Sequence, residues 1–254
     1  MNDLVAFWTL FRKEMRRVFR IWKQTLLPPV ITSVLYLLIF GVSLGKFIDE
    51  VNGVTYIQFI VPGLVMMAVL TNAYANTSSS FFGSKFQKSI EELLVSPISN
   101  IAAVSAFIVA GMVRGFIVGI FVLIVARFFT PLPLVHVPLM LFFMVGVALI
   151  FASLGFITAA MSKSFDDISL FPTFLITPLT YLGGIFYSIH MLPAFWQKIS
   201  VFNPMVYFIN GMRYGFLGIS DVSVWVALVM VLFLAAFTFW LSWFLYKTGY
   251  KLKN

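Results

Sequence analysis

Val201–Gly218, VFNPMVYFINGMRYGFLG, decides the fold: it is apolar enough to read as a membrane span and interrupted enough to read as something else. Asn203, Pro204, Asn210 and Arg213 break its apolar run, and Gly211, Gly215 and Gly218 weaken it further as a free-standing helix. Around it lie runs near the ~20 residues needed to cross a bilayer core. Membrane helices are predicted at about Leu26–Leu44, Tyr56–Thr77, Ile101–Phe129, Pro138–Met161, Ile168–Tyr187 and Val222–Tyr246. If Val201–Gly218 made a seventh, the basic C-terminus would lie on the side opposite the basic N-terminus. Parity therefore argues for LPAFWQKISVFNP as a short amphipathic helix and MVYFINGMRYGFLG as its partner in a re-entrant hairpin, 188–218, dipping in from the outer face. Asn203, Pro204 and Arg213 are its marked residues, and irregular backbone at that depth should cap a pathway or an interface.

The wider composition agrees with a polytopic all-α membrane protein. Of 254 residues, 61% are hydrophobic and only 10% charged, where soluble domains carry about 25% charge. The net charge of +8 comes from basic residues flanking the apolar runs, the signature of cytoplasmic loops rather than of a nucleic-acid surface. Arg12, Lys13, Arg16, Arg17, Arg20, Lys23, Lys85, Lys88, Lys163, Lys247, Lys251 and Lys253 fall on one side of a six-span chain. Lys46, Arg127, Lys198 and Arg213 fall on the other, so both termini are predicted to be cytoplasmic. The first span follows more than twenty mixed residues and is expected to be retained rather than cleaved. The chain reads as one domain, 1–254.

Residues 1–24 carry Leu4, Trp8, Phe11, Met15, Val18 and Trp22 at three-and-four spacing, one face of a helix. Arg12, Arg16, Arg17 and Arg20 lie largely off that face, as in a helix resting in the membrane interface. A simple charge anchor fits the same pattern. Pro28 and Pro29 are assigned to the first turn of the next helix.

Several chemistries are absent. With no cysteine, thiolate metal sites, disulfides and cysteine nucleophiles are excluded. His136 and His190 have no second ligand at metal spacing, so no metal site is expected. GVSLGKF, 41–47, has one residue too few between its glycines for a phosphate loop and Phe47 where Ser or Thr should stand. No ATPase is therefore built in, and the chain is not expected to be an enzyme. All nine acidic residues, Asp3, Glu14, Asp49, Glu50, Glu91, Glu92, Asp166, Asp167 and Asp221, sit outside the spans. Ion-coupled carriers usually place acids at mid-membrane, which disfavours that class. Asp166 and Asp167 read as a solvated turn capping the start of the fifth span.

Inside the spans, Gly111, Gly115 and Gly119 form a small-residue stripe suited to close helix packing. Arg114 lies near mid-depth and should point inward, either to backbone carbonyls or to a substrate. Asn72, Asn76 and Ser79 recur at helical spacing, lining a pathway or bonding a neighbouring helix.

The longest polar interruption is KSIEELLVSP, Lys88–Pro97, within a loop at 84–98. IEELLVSPIS after the second span, the amphipathic N-terminal helix, six spans with both termini inside, and FNPMVYFINGMRYGFLG before the last span together resemble the ABC-2 type permeases of bacterial inner membranes. The resemblance runs over nearly the whole chain and implies the ABC-2, or type V, exporter fold. It also implies a homodimer of this subunit forming the pathway, with two copies of a separate cytoplasmic ABC ATPase binding MgATP and driving export. It makes the loop after span two a coupling helix docked on that ATPase, with Ser89, Ile90, Glu91, Glu92, Leu93 and Leu94 as its candidates, ended by Pro97. The 1–24 helix is implied to approach the same ATPase. Such permeases handle drugs, lipids, polysaccharides or lipid-linked sugars, and no motif here chooses among them. A non-transporting membrane scaffold is the alternative from another class.

Overall fold

The computed structural model describes residues 3–48 and 50–252; Asp49 and Lys253, counted above, lie outside them. The described chain is a helical bundle with one two-residue-per-strand hairpin. Helix α1 (Asp3–Arg20) gives way at Ile21 to α2 (Trp22–Tyr36), which continues through a π-helical stretch, Leu37–Ser43, and a 3-10 turn, Leu44–Lys46. Pro28 and Pro29 lie inside α2, beyond its first turn, so the predicted helix start is too late. Helix α3 (Tyr56–Phe86) follows the hairpin β1 (Glu50–Val51) and β2 (Val54–Thr55). Asn52 and Gly53 both have positive φ, 53° and 77°, the turn that an Asn-Gly pair favours between antiparallel strands.

Helix α4 (Ser89–Val95) links α3 to α5 (Asn100–Phe129), and α6 (Val137–Met161) follows. Next come α7 (Phe165–Phe171), a π-helical turn at Pro172–Ile176, and α8 (Thr177–Tyr181). The chain closes with α9 (Ala194–Ser200), α10 (Pro204–Leu217) and α11 (Val224–Thr248).

Among the described residues, five helices are long and apolar enough to cross a membrane: Trp22–Lys46, α3, α5, α6 and α11. They match five of the six predicted spans within a few residues, except that α3 runs nine residues past Thr77 to Phe86. The predicted fifth span, Ile168–Tyr187, is helical only to Tyr181. From Phe165 its helical run rises about 25 Å, short of the ~30 Å core. Pro172 and Pro178 remove two backbone donors there, and the π turn absorbs the mismatch.

Helix α3 is the axis of the bundle, packed by α5, α6 and α10. Glycines set the closest approaches. A Cβ on Gly115 would lie 2.7 Å from the Val69 carbonyl oxygen, and one on Gly155 2.6 Å from that of Tyr74, so α5 and α6 both rest on the α3 backbone. Phe81, Phe107, Phe156 and Tyr246 then join α3, α5, α6 and α11 at one end.

The two ends of the bundle differ. One holds α1, α4, the turn before α7 and the end of α11. The other holds the β hairpin, the α5–α6 and α10–α11 links and residues 182–192. The segment around α9 and α10 leaves and rejoins this second end: the Ile189 amide donates to Asp221 Oδ2 at 3.0 Å, and the Val135 amide to the Phe216 carbonyl at 3.1 Å. Between these points Asn203 Nδ2 donates to the Leu179 carbonyl at 2.8 Å, joining the start of α10 to α8.

Candidate functional site

At the α4 end, three elements predicted separately come together. Helix α1 has three faces rather than two. Trp8, with Trp22 beyond the helix end, is exposed on the apolar face, while Val18 of that stripe turns against the bundle. Arg12, Arg16 and Arg20 are exposed on a second face. Ala6, Leu10, Glu14 and Val18, at four-residue spacing, form a third face toward the protein, with α5 the chief partner.

Arg17 also turns inward, apart from the three arginines with which it was grouped. Its Nη2 donates to the Asn76 carbonyl at 3.1 Å and to Asn76 Oδ1 at 3.0 Å. Arg114, from the middle of α5, donates to the same Oδ1 at 3.4 Å. Glu14 accepts a short hydrogen bond from Ser80 and lies 3.4 Å from Arg17 Nε. Burial holds the Arg17 guanidinium below its ordinary pKa, and Glu14 partly offsets this. Sequence reasoning placed Arg114 and Asn76 but missed Glu14 and Ser80. The four-residue repeat from Ala6 to Val18, with an acid in it, was the available signal.

The rest of the polar stripe does other work. Asn72 donates to the Ala68 carbonyl of its own helix and lines a groove between α2 and α3, with Thr32, Tyr36 and Thr71. Ser79 is exposed and bonds the Ala75 carbonyl at 2.6 Å. Gly111 and Gly119, like Gly115, sit where α5 meets α3: added Cβ atoms would fall 2.0 Å from Thr77 Oγ1 and 2.5 Å from a Val69 methyl.

Helix α4 is preceded by Lys88, held in the left-handed region at φ 59°. Its Ile90 is buried in the chain's own core, and Leu93 and Leu94 pack half-buried against it. Ser89 is half-buried and donates to the Ser84 carbonyl. Glu91 and Glu92 stand outward, flanked by exposed Phe86 and by Val95, which is 86% exposed. A cavity of about 210 Å³ between α1, α4 and α5 is lined by both Lys13 and Glu92. Helices α1 and α4 thus line one cavity from opposite sides. Behind them Lys85, missed as a structural residue, donates from Nζ to the Ala160 and Ser162 carbonyls at 2.9 and 2.8 Å, closing the end of α6.

At the opposite end Arg213 is wholly buried. Its guanidinium donates to Asn210 Oδ1 at 3.0 Å and to the Gly184 carbonyl at 2.6 Å, and lies 3.8 Å above the Phe59 ring. Asp221, 3.8 Å away, supplies the opposite charge and accepts from Asn52 Nδ2 and the Ile189 amide. Asn203 caps α10 by accepting from the Met205 amide, and Pro204 takes the first helical position. Asp221 had been read only as a loop acid. Among the described residues no cluster of three or more His, Asp or Glu could hold a metal ion.

Comparison with known proteins places this architecture. A model of the ABC-2 type transporter family matches residues 5–217. The inner membrane transport permease YadH of Escherichia coli K12 is 48% identical over 251 residues, 98% of either chain. Nodulation protein J of Rhizobium leguminosarum bv. viciae is 28% identical over 211 residues, 80% of either chain. Nodulation protein J of Rhizobium meliloti is 24% identical over 203 residues, 78% of either chain. An apolar multi-helix bundle with no phosphate loop of its own, matched by that family along most of its length, belongs to the ABC-2 type transporters, as the permease subunit of an ABC exporter.

Proposed function

We propose that two copies of this subunit form the export pathway in a bacterial inner membrane, with both termini in the cytoplasm, driven by two copies of a separate cytoplasmic ABC ATPase that binds MgATP. The α4 end is then cytoplasmic, consistent with its share of the basic residues. On this reading the short α7–α8 run is the sixth membrane helix, thinning the bilayer or tilting little, and α9–α10 is a re-entrant hairpin entering from the outer face. The return of residues 189 and 216 to one end of the bundle supports that reading. Asn72 faces the pathway through the α2–α3 groove, and the α5 glycines serve packing.

The observation that carries the proposal is the division of α4. Ile90 seats the helix on its own bundle and Leu93 and Leu94 steady it, while Glu91, Glu92, Val95 and Phe86 face outward. A short rigid helix with apolar flanks and a central acidic pair suits a groove on a partner, with charge setting register. The anchored side is what would let a push on the exposed side reach the bundle.

Replacing both acids by lysine, Glu91→Lys with Glu92→Lys, tests this. The exposed positions predict an unchanged fold and melting temperature, with loss of permease-stimulated ATP hydrolysis and of export in reconstituted vesicles. Unchanged stimulation in the double variant removes the coupling assignment.

A further inference from the structure

A cavity of about 340 Å³ lies between α8, the 182–192 segment and α9, a size within the ~300–1,000 Å³ of small-ligand pockets. Leu182, Leu192, Trp196 and Ile199 make its wall apolar, and Tyr187 and Ser200 bring hydroxyl groups to it. Trp196, Ile199 and Ser200 share one face of α9 by their three-and-four spacing, so one short helix presents both kinds of wall. Side-chain bonds frame the space. Gln197 Nε2 donates to the Leu192 carbonyl at 2.7 Å, tying the 182–192 segment to α9. Asn203 Nδ2 donates to the Leu179 carbonyl at 2.8 Å, tying the chain after α9 to α8.

The walls state what fits. An apolar cavity left empty forfeits the dispersion contacts of its lining, and a resident water needs two to four polar partners. Asn203 has none to offer, since its Nδ2 goes to Leu179 and its Oδ1 accepts from the Met205 amide. The hydroxyls of Tyr187 and Ser200 have no hydrogen-bond partner among the described residues. The matching occupant is apolar along most of its length and carries an acceptor for a hydroxyl donor. Leu182, Trp196 and Ile199 remain exposed at the rim, so the cavity opens on an apolar surface that meets hydrocarbon in a bilayer.

We propose that this cavity binds one acyl chain of a membrane phospholipid, with the chain along Leu182, Leu192, Trp196 and Ile199 and its ester carbonyl accepting from Tyr187 or Ser200. The site lies outside the α2–α3 groove and is independent of the coupling role of α4, because binding is read without the ATPase.

The test uses the purified full chain in glyco-diosgenin, a detergent without an acyl chain. Phosphatidylethanolamine carrying a diazirine in one acyl chain is the probe, and its photo-adducts are mapped by mass spectrometry. Adducts within residues 179–203 are expected to saturate and to be displaced by unlabelled dioleoyl phosphatidylethanolamine. Those on the exposed face of α11, at Val229 and Phe233, are expected to rise linearly and so report ordinary lipid contact. Leu192→Trp, which puts a ring into the cavity, should lose the saturable adducts and keep those on α11, showing that the bundle still folds. Tyr187→Phe keeps the ring and should bind the ester lipid about fivefold more weakly, the value of one ordinary hydrogen bond. A dialkyl ether analogue, which lacks the carbonyl, should compete about fivefold less well than the ester in the parent. Adducts at 179–203 that track those on α11 without saturating, or unchanged labelling of Leu192→Trp, overturn the site. Equal competition by ester and ether lipids overturns the carbonyl contact, and stronger competition by oleic acid than by the phospholipid overturns the choice of lipid.

Discussion

Asp167 shows how one side chain can report on the turn that starts α7. Its carboxylate accepts from the Lys163 amide at 2.7 Å and the Ser164 amide at 3.0 Å, while its own amide donates to Ser164 Oγ. Those bonds, led by that to Lys163, hold its pKa below the ordinary carboxylate value. A depressed pKa means the cap is fully present above the unfolded value, about 3.9, and is lost as pH falls through the lower folded value. Protection of the amides at residues 163–168, read as exchange relative to the intrinsic rate at each pH, should therefore fall on acidification below about pH 4, and Asp167→Asn should show low protection already at neutral pH with little further fall in acid. The Asp166–Asp167 pair was legible as a helix cap because cap chemistry is local. Glu14 was not, because its partner Ser80 lies 66 positions away and only packing brings the two together.

At the scale of elements, α10 is held to its surroundings by one buried ionic network. Arg213 bridges Asn210 of its own helix, Gly184 before α9 and Asp221 before α11, so a single guanidinium ties three chain segments. Arg213→Met should cost about 3–5 kcal/mol, the usual loss when one partner of a buried pair is removed, because Asp221 keeps its burial without its cation. Pairing that change with Asp221→Asn should recover part of the loss, measured as melting temperature in detergent; an equal or greater loss in the double variant would deny the pair its role. The five long spans were legible from apolar run length, and Arg213 from its isolation in an apolar run. The π-helical stretch at Leu37–Ser43 was not, because Gly41 within it lies against Ile57 of α3, where an added Cβ would lie 2.8 Å away, and sequence spacing does not show that contact.

For the whole molecule, orientation is the property to test, and the cysteine-free chain makes it direct. A lone cysteine at Ser89 should react with a membrane-impermeant maleimide only from the cytoplasmic side, and one at Gln197 only from the outer side. Labelling of the Gln197 position from the cytoplasmic side would undo the re-entrant hairpin and the six-span count together. The family and the two-ended distribution of charge could be read from residue patterns, since insertion physics acts on composition. Which arginine faces which neighbour could not, since Arg16 and Arg17 differ by one position and by about 100° around α1.

Lys85 gives that layout a mechanical meaning. Four residues before α4 starts at Ser89, its ammonium grips the carbonyls at the end of α6. On the proposed coupling role, a push on α4 would reach α6 through this tie as well as α3 along the backbone, so that two of the most buried helices would shift together, a plate swung rather than a rod bent.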